Sequence, residues 1–221
     1  EEVKRSIEEQ GKLTGELSAA IDAAATLAEV EDLYRPYKQK RRTRATAAKE
    51  KGLEPLALLL YAQEPGCPEP EAAAVETAAD ALQGANDIIA EMISDDAEVR
   101  KLLREYMLRH SVLSSRATGE ADSVYRLYYD FQQPVIRLQG HQILAVNRGE
   151  REEFLKVAVL TDREQSLSLL YDTVVHPGSA ATEFVRAAAE DAYDRLIYPS
   201  LEREIRNTLT ERADEGAIKM F

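Results

Sequence analysis

The sequence predicts a mainly α, multi-helix assembly with one or two short β-strands. Three observations carry this. Apolar residues recur every three or four positions through most of the chain, as in Val99, Leu102, Leu103, Tyr106 and Met107. Helix-start residues such as Thr14, Thr26 and Thr43 stand in front of such stretches. One segment, Phe154 to Leu160, alternates instead, with Leu155, Val157 and Val159 on one side, as a half-buried strand does.

The elements follow in order. Thr14 to Ala25 is Ala-rich, with Leu17 and Ile21 at helical spacing. Thr26 and Glu29 form a capping box, and Leu27, Val30, Leu33 and Tyr34 share the face behind it. Pro36 stops that helix, because proline restricts its predecessor and has no N–H to donate. Thr43 caps a short helix over Arg44 to Lys51, and Gly52 stands where a left-handed C-terminal cap belongs. Pro55 suits the first turn of a helix from Pro55 to Gln63. The segment 64–70 carries three prolines and a glycine and reads as a loop. An Ala-rich helical pattern follows it, with Leu82, Ile88, Ile89, Met92 and Ile93 as its apolar stripe. Ser94 and Asp95 start the next helix. Thr118-Gly119-Glu120 is a loop. Gln139 to Arg148 is helical and Gly149 stops it. Three helices close the chain: Arg163 to Val174, Thr182 to Ile197, and Pro199 to Ala217. A lone strand needs a partner, so Phe154 to Leu160 pairs either with Val112 to Ala117 or with chain outside this sequence. Residues 1–63 thus form an N-terminal helical segment, 64–70 a proline-rich linker, and 71–221 a helical core with its strand near 154–160. The expected core includes Leu33, Leu56, Leu59, Ile88, Met92, Leu102, Leu103, Tyr106, Ile143, Leu144, Phe184, Leu196, Leu201 and Ile205.

Charge excludes several functions and suggests one. The 221 residues hold 28 Lys and Arg against 40 Asp and Glu, a net charge of −12. That total argues against a general polyanion binder. The charge is segregated, however. Arg35, Lys38, Lys40, Arg41, Arg42, Arg44, Lys49 and Lys51 face a single acid, Glu50, between Arg35 and Lys51. Lys38, Lys40, Arg41, Arg42 and Arg44, with Tyr34 and Tyr37 beside them, are the candidate phosphate contacts. The competing reading is a solvated loop, or one docked on the protein's own acidic surface. The aromatic cluster Tyr125, Tyr128, Tyr129 and Phe131 could stack on bases but is better read as packing.

No enzyme signature stands out. His110, His141 and His176 are neither paired at helical spacing nor beside the single cysteine, Cys67. The neighbouring carboxylates Asp95 and Asp96 suit capping better than acid–base work. No catalytic residue, metal or cofactor is expected. Apolar runs fall short of the roughly 18 residues that a membrane span needs, so no membrane partner is expected. The near absence of cysteine suits a cytoplasmic location.

Several blocks stand out in order along the chain. The first runs from Leu33-Tyr34-Arg35-Pro36-Tyr37-Lys38 through Arg41-Arg42-Thr43 to Lys51-Gly52-Leu53-Glu54-Pro55-Leu56. Ala81-Leu82-Gln83-Gly84-Ala85, then Asp87-Ile88-Ile89-Ala90-Glu91, and Val112-Leu113-Ser114-Ser115 follow. So do Tyr128-Tyr129-Asp130-Phe131, His141-Gln142-Ile143-Leu144-Ala145 and Asn147-Arg148-Gly149-Glu150. Pro199 to Arg206, Leu209-Thr210-Glu211 and Ala217-Ile218 complete the set. Together these blocks resemble the Tex family of bacterial transcription accessory proteins. The resemblance implies helix-turn-helix character and a longer parent protein with an RNase-H-like domain, helix-hairpin-helix elements and a C-terminal OB-fold RNA-binding domain. On that basis the chain is an N-terminal helical piece ending at Met220-Phe221, near where the RNase-H-like domain would begin. The parent would bind RNA or DNA and act in transcription. The alternative is a protein-binding scaffold that docks downstream domains or RNA polymerase without touching nucleic acid itself.

Overall fold

The structure is a computed structural model that describes residues 1–70 and 78–218; the Ala-rich stretch 71–77 and the terminal residues 219–221, with the expected end at Met220-Phe221, lie outside these. Helices dominate, with one small antiparallel sheet. The described chain falls into two compact units. The first holds Glu1–Leu102 and Leu167–Ile197, with the proline-rich segment inside it; the second holds Leu103–Ser166 and 198–221.

In the first unit, α1 (Glu2–Glu9), α2 (Gly15–Ala23) and α3 (Leu27–Tyr34) precede two short helices, α4 (Arg44–Glu50) and α5 (Glu54–Tyr61). Helix α6 (Ala78–Asp95) runs through the middle and packs on α4, α5 and α10 (Thr182–Ala192). The expected caps are present. Thr14, Thr26 and Thr43 hydroxyls accept the Leu17, Glu29 and Thr46 amides. Gly52 adopts φ +78°, which the missing Cβ makes cheap. The side chains of Ala81, Ala85, Ile88, Ile89 and Ile93 form the buried face of α6. At Gly84 α6 lies so close to the α4–α5 turn that a Cβ would stand 2.3 Å from Leu53 Cδ1.

One expected boundary moves. The helix break falls after Asp95, and α7 (Ala97–His110) is capped by Asp96, whose Oδ1 accepts the Val99 amide at 3.0 Å. Asp95 is engaged by basic side chains instead, as described below. Leu59 also departs from expectation: it is 43% exposed, and α5 buries Ala57 and Leu60.

Gln63 carries a tertiary role with no sequence signal. Buried, and held at φ +53°, it donates Nε2 to the Val174 carbonyl at 2.8 Å. Its Oε1 accepts the His176 amide at 2.7 Å. Gln63→Ala strands both backbone groups and is expected to cost about 2 kcal/mol, read from urea denaturation.

The second unit contains the sheet, in the order β2-β1-β3. β1 (Val112–Ala117) pairs antiparallel with β3 (Leu155–Leu160), placing Leu113 opposite Val159 and Ser115 opposite Val157. This is the internal partner expected for the alternating segment. β2 (Asp130–Pro134) adds on the other side of β1. Leu155, Val157 and Val159 face inward, toward α8 (Gly140–Arg151). Helix α8 packs in turn on α11 (Tyr198–Ile218), which buries Leu201, Ile205 and Leu209.

Gly149 does not stop α8; the helix runs two residues further and turns at Glu153, φ +65°. Gly149 is buried against β3. Between Val174 and Pro199 the chain forms α10 and a π turn, Tyr193–Ile197, which runs on into α11. Pro199 has no N–H to return to the preceding turn, and the widened turn lies just before it. α9 (Arg163–Val174) matches its expected span. Tyr125 packs against the Phe154 ring at 5.8 Å and is 4% exposed, so the aromatic cluster packs here as expected.

Candidate nucleic-acid interface

The basic segment is built from the end of α3, a 3-10 turn over Arg35–Tyr37, an extended loop, and the start of α4. Local chemistry dictates each part. Glu29 reaches back to the Ala25 amide at 2.7 Å, one residue before Thr26. This bond holds its carboxyl below the ordinary range, with Lys101 beside it adding to the effect. Pro36 converts the end of α3 into the 3-10 turn. That turn is pinned from α1 and the residue after it: Gln10 Nε2 donates to the Tyr37 carbonyl at 2.9 Å, and the Ser6 and Tyr34 hydroxyls lie 3.0 Å apart. Tyr34 and Tyr37 are half-buried.

The structure sorts the five candidate side chains. Lys40 turns inward, and its Nζ bonds the Asp95 carboxylate and lies 3.4 Å from Glu91 Oε1. Arg35 Nε takes the other Asp95 oxygen at 3.1 Å. Asp95 is thus the staple that holds the loop on α6. Arg42 Nη2 lies 2.8 Å from Glu50 Oε2, both well exposed, so water screens the pair and it is easily exchanged. Lys38 lies a loose 3.8 Å from Glu31, again exposed. Arg41 and Arg44 are exposed and have no carboxylate within 4 Å among the described residues.

A groove of about 450 Å³ lies beneath the loop, and its polar lining mixes Lys38, Lys40 and Lys49 with Glu91, Asp95 and Asp96. Its signs cancel, so a phosphate gains little there. Arg41, Arg42 and Arg44 are not part of this lining; they are exposed within one short stretch of the same loop and the start of α4. Part of the segment thus docks on the protein's own acids, while its outer residues remain available to a polyanion.

Sequence reasoning found the segment but not Asp95, which lies fifty-five residues from Lys40. Among the described residues, no group of three or more His, Cys, Asp or Glu side chains is placed to hold a metal ion. No helix among them is long and apolar enough to cross a membrane.

Comparison with known proteins adds a family. Residues 67–221 match the family described as Tex central region-like. The Bacillus subtilis protein YdcI is 43% identical across the whole chain, which covers 32% of that protein. The transcriptional accessory protein Tex of Neisseria gonorrhoeae is 35% identical over 99% of the chain, covering 31% of that relative. The human S1 RNA-binding domain-containing protein 1 is 29% identical over 98% of the chain and 24% of its own length. The chain therefore spans about a third or less of each of these relatives.

Proposed function

Because this chain belongs to the Tex family of transcription accessory proteins, we infer that it is a nucleic-acid-contacting region of a longer transcription accessory protein, with Arg41, Arg42 and Arg44 on the phosphates and Lys38 beside them. One observation carries the reading. In a chain of net charge −12, Arg41 and Arg44 have no carboxylate within 4 Å among the described residues, on a loop that Lys40 and Arg35 anchor through Asp95. Arginine supplies a forked donor that fits a phosphate, and an anchored loop loses less entropy on binding. The names of the relatives support this, one being a transcriptional accessory protein and another carrying an S1 RNA-binding domain.

Helices α4 and α5, joined by a three-residue turn through Gly52, have the connection expected of a helix-turn-helix. Helix α5 reads EPLALLLY and carries no basic or amide side chain. It offers no arginine, lysine or amide to base edges, which favours contact to the backbone, indifferent to sequence. The region itself is non-catalytic in this account.

Fluorescence anisotropy of this protein against labelled single-stranded RNA and duplex DNA, at low and physiological salt, tests the reading. Salt-sensitive binding is expected. Arg41→Glu, Arg42→Glu and Arg44→Glu together should weaken it at least about tenfold without changing the circular dichroism spectrum. Absence of binding at low salt would contradict the reading and leave the region a docking scaffold for the transcription machinery.

A further inference from the structure

The second unit carries an apolar groove with an electropositive rim, far in sequence from the basic segment. It is formed by the last turn of α7, a 3-10 turn over Val135–Arg137, the start of α8 and the later turns of α11. Its volume is about 430 Å³, within the range of about 300–1,000 Å³ usual for ligand pockets. Leu108, Leu138, Ile143 and Leu209 supply its aliphatic surface. The 3-10 turn explains why it is open. Pro134 ends β2, the Val135 amide bonds the Ser111 carbonyl at 2.9 Å, and the Val135 side chain goes into the core. Its neighbour Ile136 is thereby turned outward and is 70% exposed at the mouth. A single exposed isoleucine is ordinary; one continuous with an open aliphatic groove extends a patch of the kind that marks interaction sites.

The charges at this rim say what fits. Arg109 and Arg212 border the groove, and Arg137 follows Ile136 in the same turn. Among the described residues none of the three guanidiniums has a carboxylate within 4 Å. Elsewhere in the same unit Arg104 is paired with Glu204, Arg148 with Glu152, and Arg206 with Glu150, while Arg116, Arg151 and Arg203 are, like the rim arginines, without a carboxylate within 4 Å among the described residues. The rim thus offers three arginines that are not neutralised by an ion pair among the described residues. Nucleic acid suits it poorly, because the lining has no aromatic ring on which a base could stack and a phosphate chain would leave the aliphatic floor wet.

We propose that this groove docks an acidic amphipathic peptide segment, whose apolar side chains seat on Leu138, Ile143 and Leu209 and whose carboxylates meet Arg109, Arg137 and Arg212. This is helix-in-groove recognition with complementary charge around an apolar centre. It is independent of the phosphate reading and uses none of the same residues.

The test is anisotropy of the 221-residue protein with a labelled synthetic peptide of about four helical turns, Leu along one face and Asp or Glu elsewhere. A shuffled peptide of equal composition and a single-stranded RNA serve as comparators. The amphipathic peptide should bind at least about tenfold tighter than the shuffled one. Ile136→Asp should weaken it at least about tenfold. Arg109→Glu with Arg212→Glu should do the same, and added salt should no longer weaken the residual binding as it does in wild type. These side chains project at the rim, and matched melting curves establish that the variants are folded. Arg41→Glu with Arg44→Glu should leave peptide binding unchanged, so failure here is distinct from failure of the phosphate reading. Equal binding of both peptides, no binding, or rim variants that bind as wild type does would overturn the proposal. So would RNA bound in place of the peptide and lost with Arg109→Glu and Arg212→Glu.

Discussion

Asp32→Ala is expected to destabilise the first unit by about 3–5 kcal/mol in urea denaturation followed by circular dichroism. Asp32 Oδ1 accepts Arg100 Nε at 3.0 Å, and the two side chains are 6% and 2% exposed. Arg100 also donates Nη1 toward the Ser94 carbonyl at 3.4 Å, so it ties α3 to the end of α6. Removing the carboxylate leaves a guanidinium buried and deprived of that acceptor, and this accounts for the size of the effect. Replacing both partners by apolar residues, Asp32→Leu with Arg100→Met, should recover most of the loss, because the desolvation of both charges disappears with them. A loss under about 1 kcal/mol for Asp32→Ala would mean that water reaches the pair.

Gly149→Val should cost about 3 kcal/mol by the same measurement. A Cβ at this position would stand 2.4 Å from Leu155 Cδ1, 2.8 Å from Leu155 Cγ and 3.1 Å from Tyr125 Cδ1. Leu155 is 2% exposed at the start of β3, and Tyr125 is held by its ring contact with Phe154 and a 2.8 Å bond to Glu152. Neither has room to retreat. Gly84→Val should be milder, since the nearest atom it meets is the far end of half-buried Leu53, with the buried Ala48 Cβ next at 3.2 Å. Close packing explains both glycines.

Local rules carried much of this fold. The three threonine caps, the Gly52 turn and the alternating strand depend on residues within a few positions of one another, and these were legible. β2 was not, because Asp-Phe-Gln-Gln-Pro has no apolar alternation and exists only through its pairing with β1. Gly149 looked like a helix stop because closeness to β3 is a tertiary reason for glycine that local spacing does not encode. Asp95 and Asp96 read alike in sequence; Arg35 and Lys40 claim the first, and the cap falls to the second. Leu59 and Leu60 are equally apolar, yet only Leu60 faces the core.

The same distinction governs the candidate interface. Sequence marked Lys38, Lys40, Arg41, Arg42 and Arg44 as one run of positive charge. The structure separates an inward staple, Lys40, from the exposed Arg41 and Arg44, and that separation decides which side chains can meet a phosphate. The salt dependence of duplex DNA binding tests it most directly. Each phosphate contact contributes about −0.9 to the log–log slope, so Arg41→Ala with Arg44→Ala should flatten it by about 2. Lys40→Ala, checked for an unchanged fold, should leave the slope as in wild type. A slope that flattens with Lys40→Ala and stays fixed with the arginine pair would contradict the account.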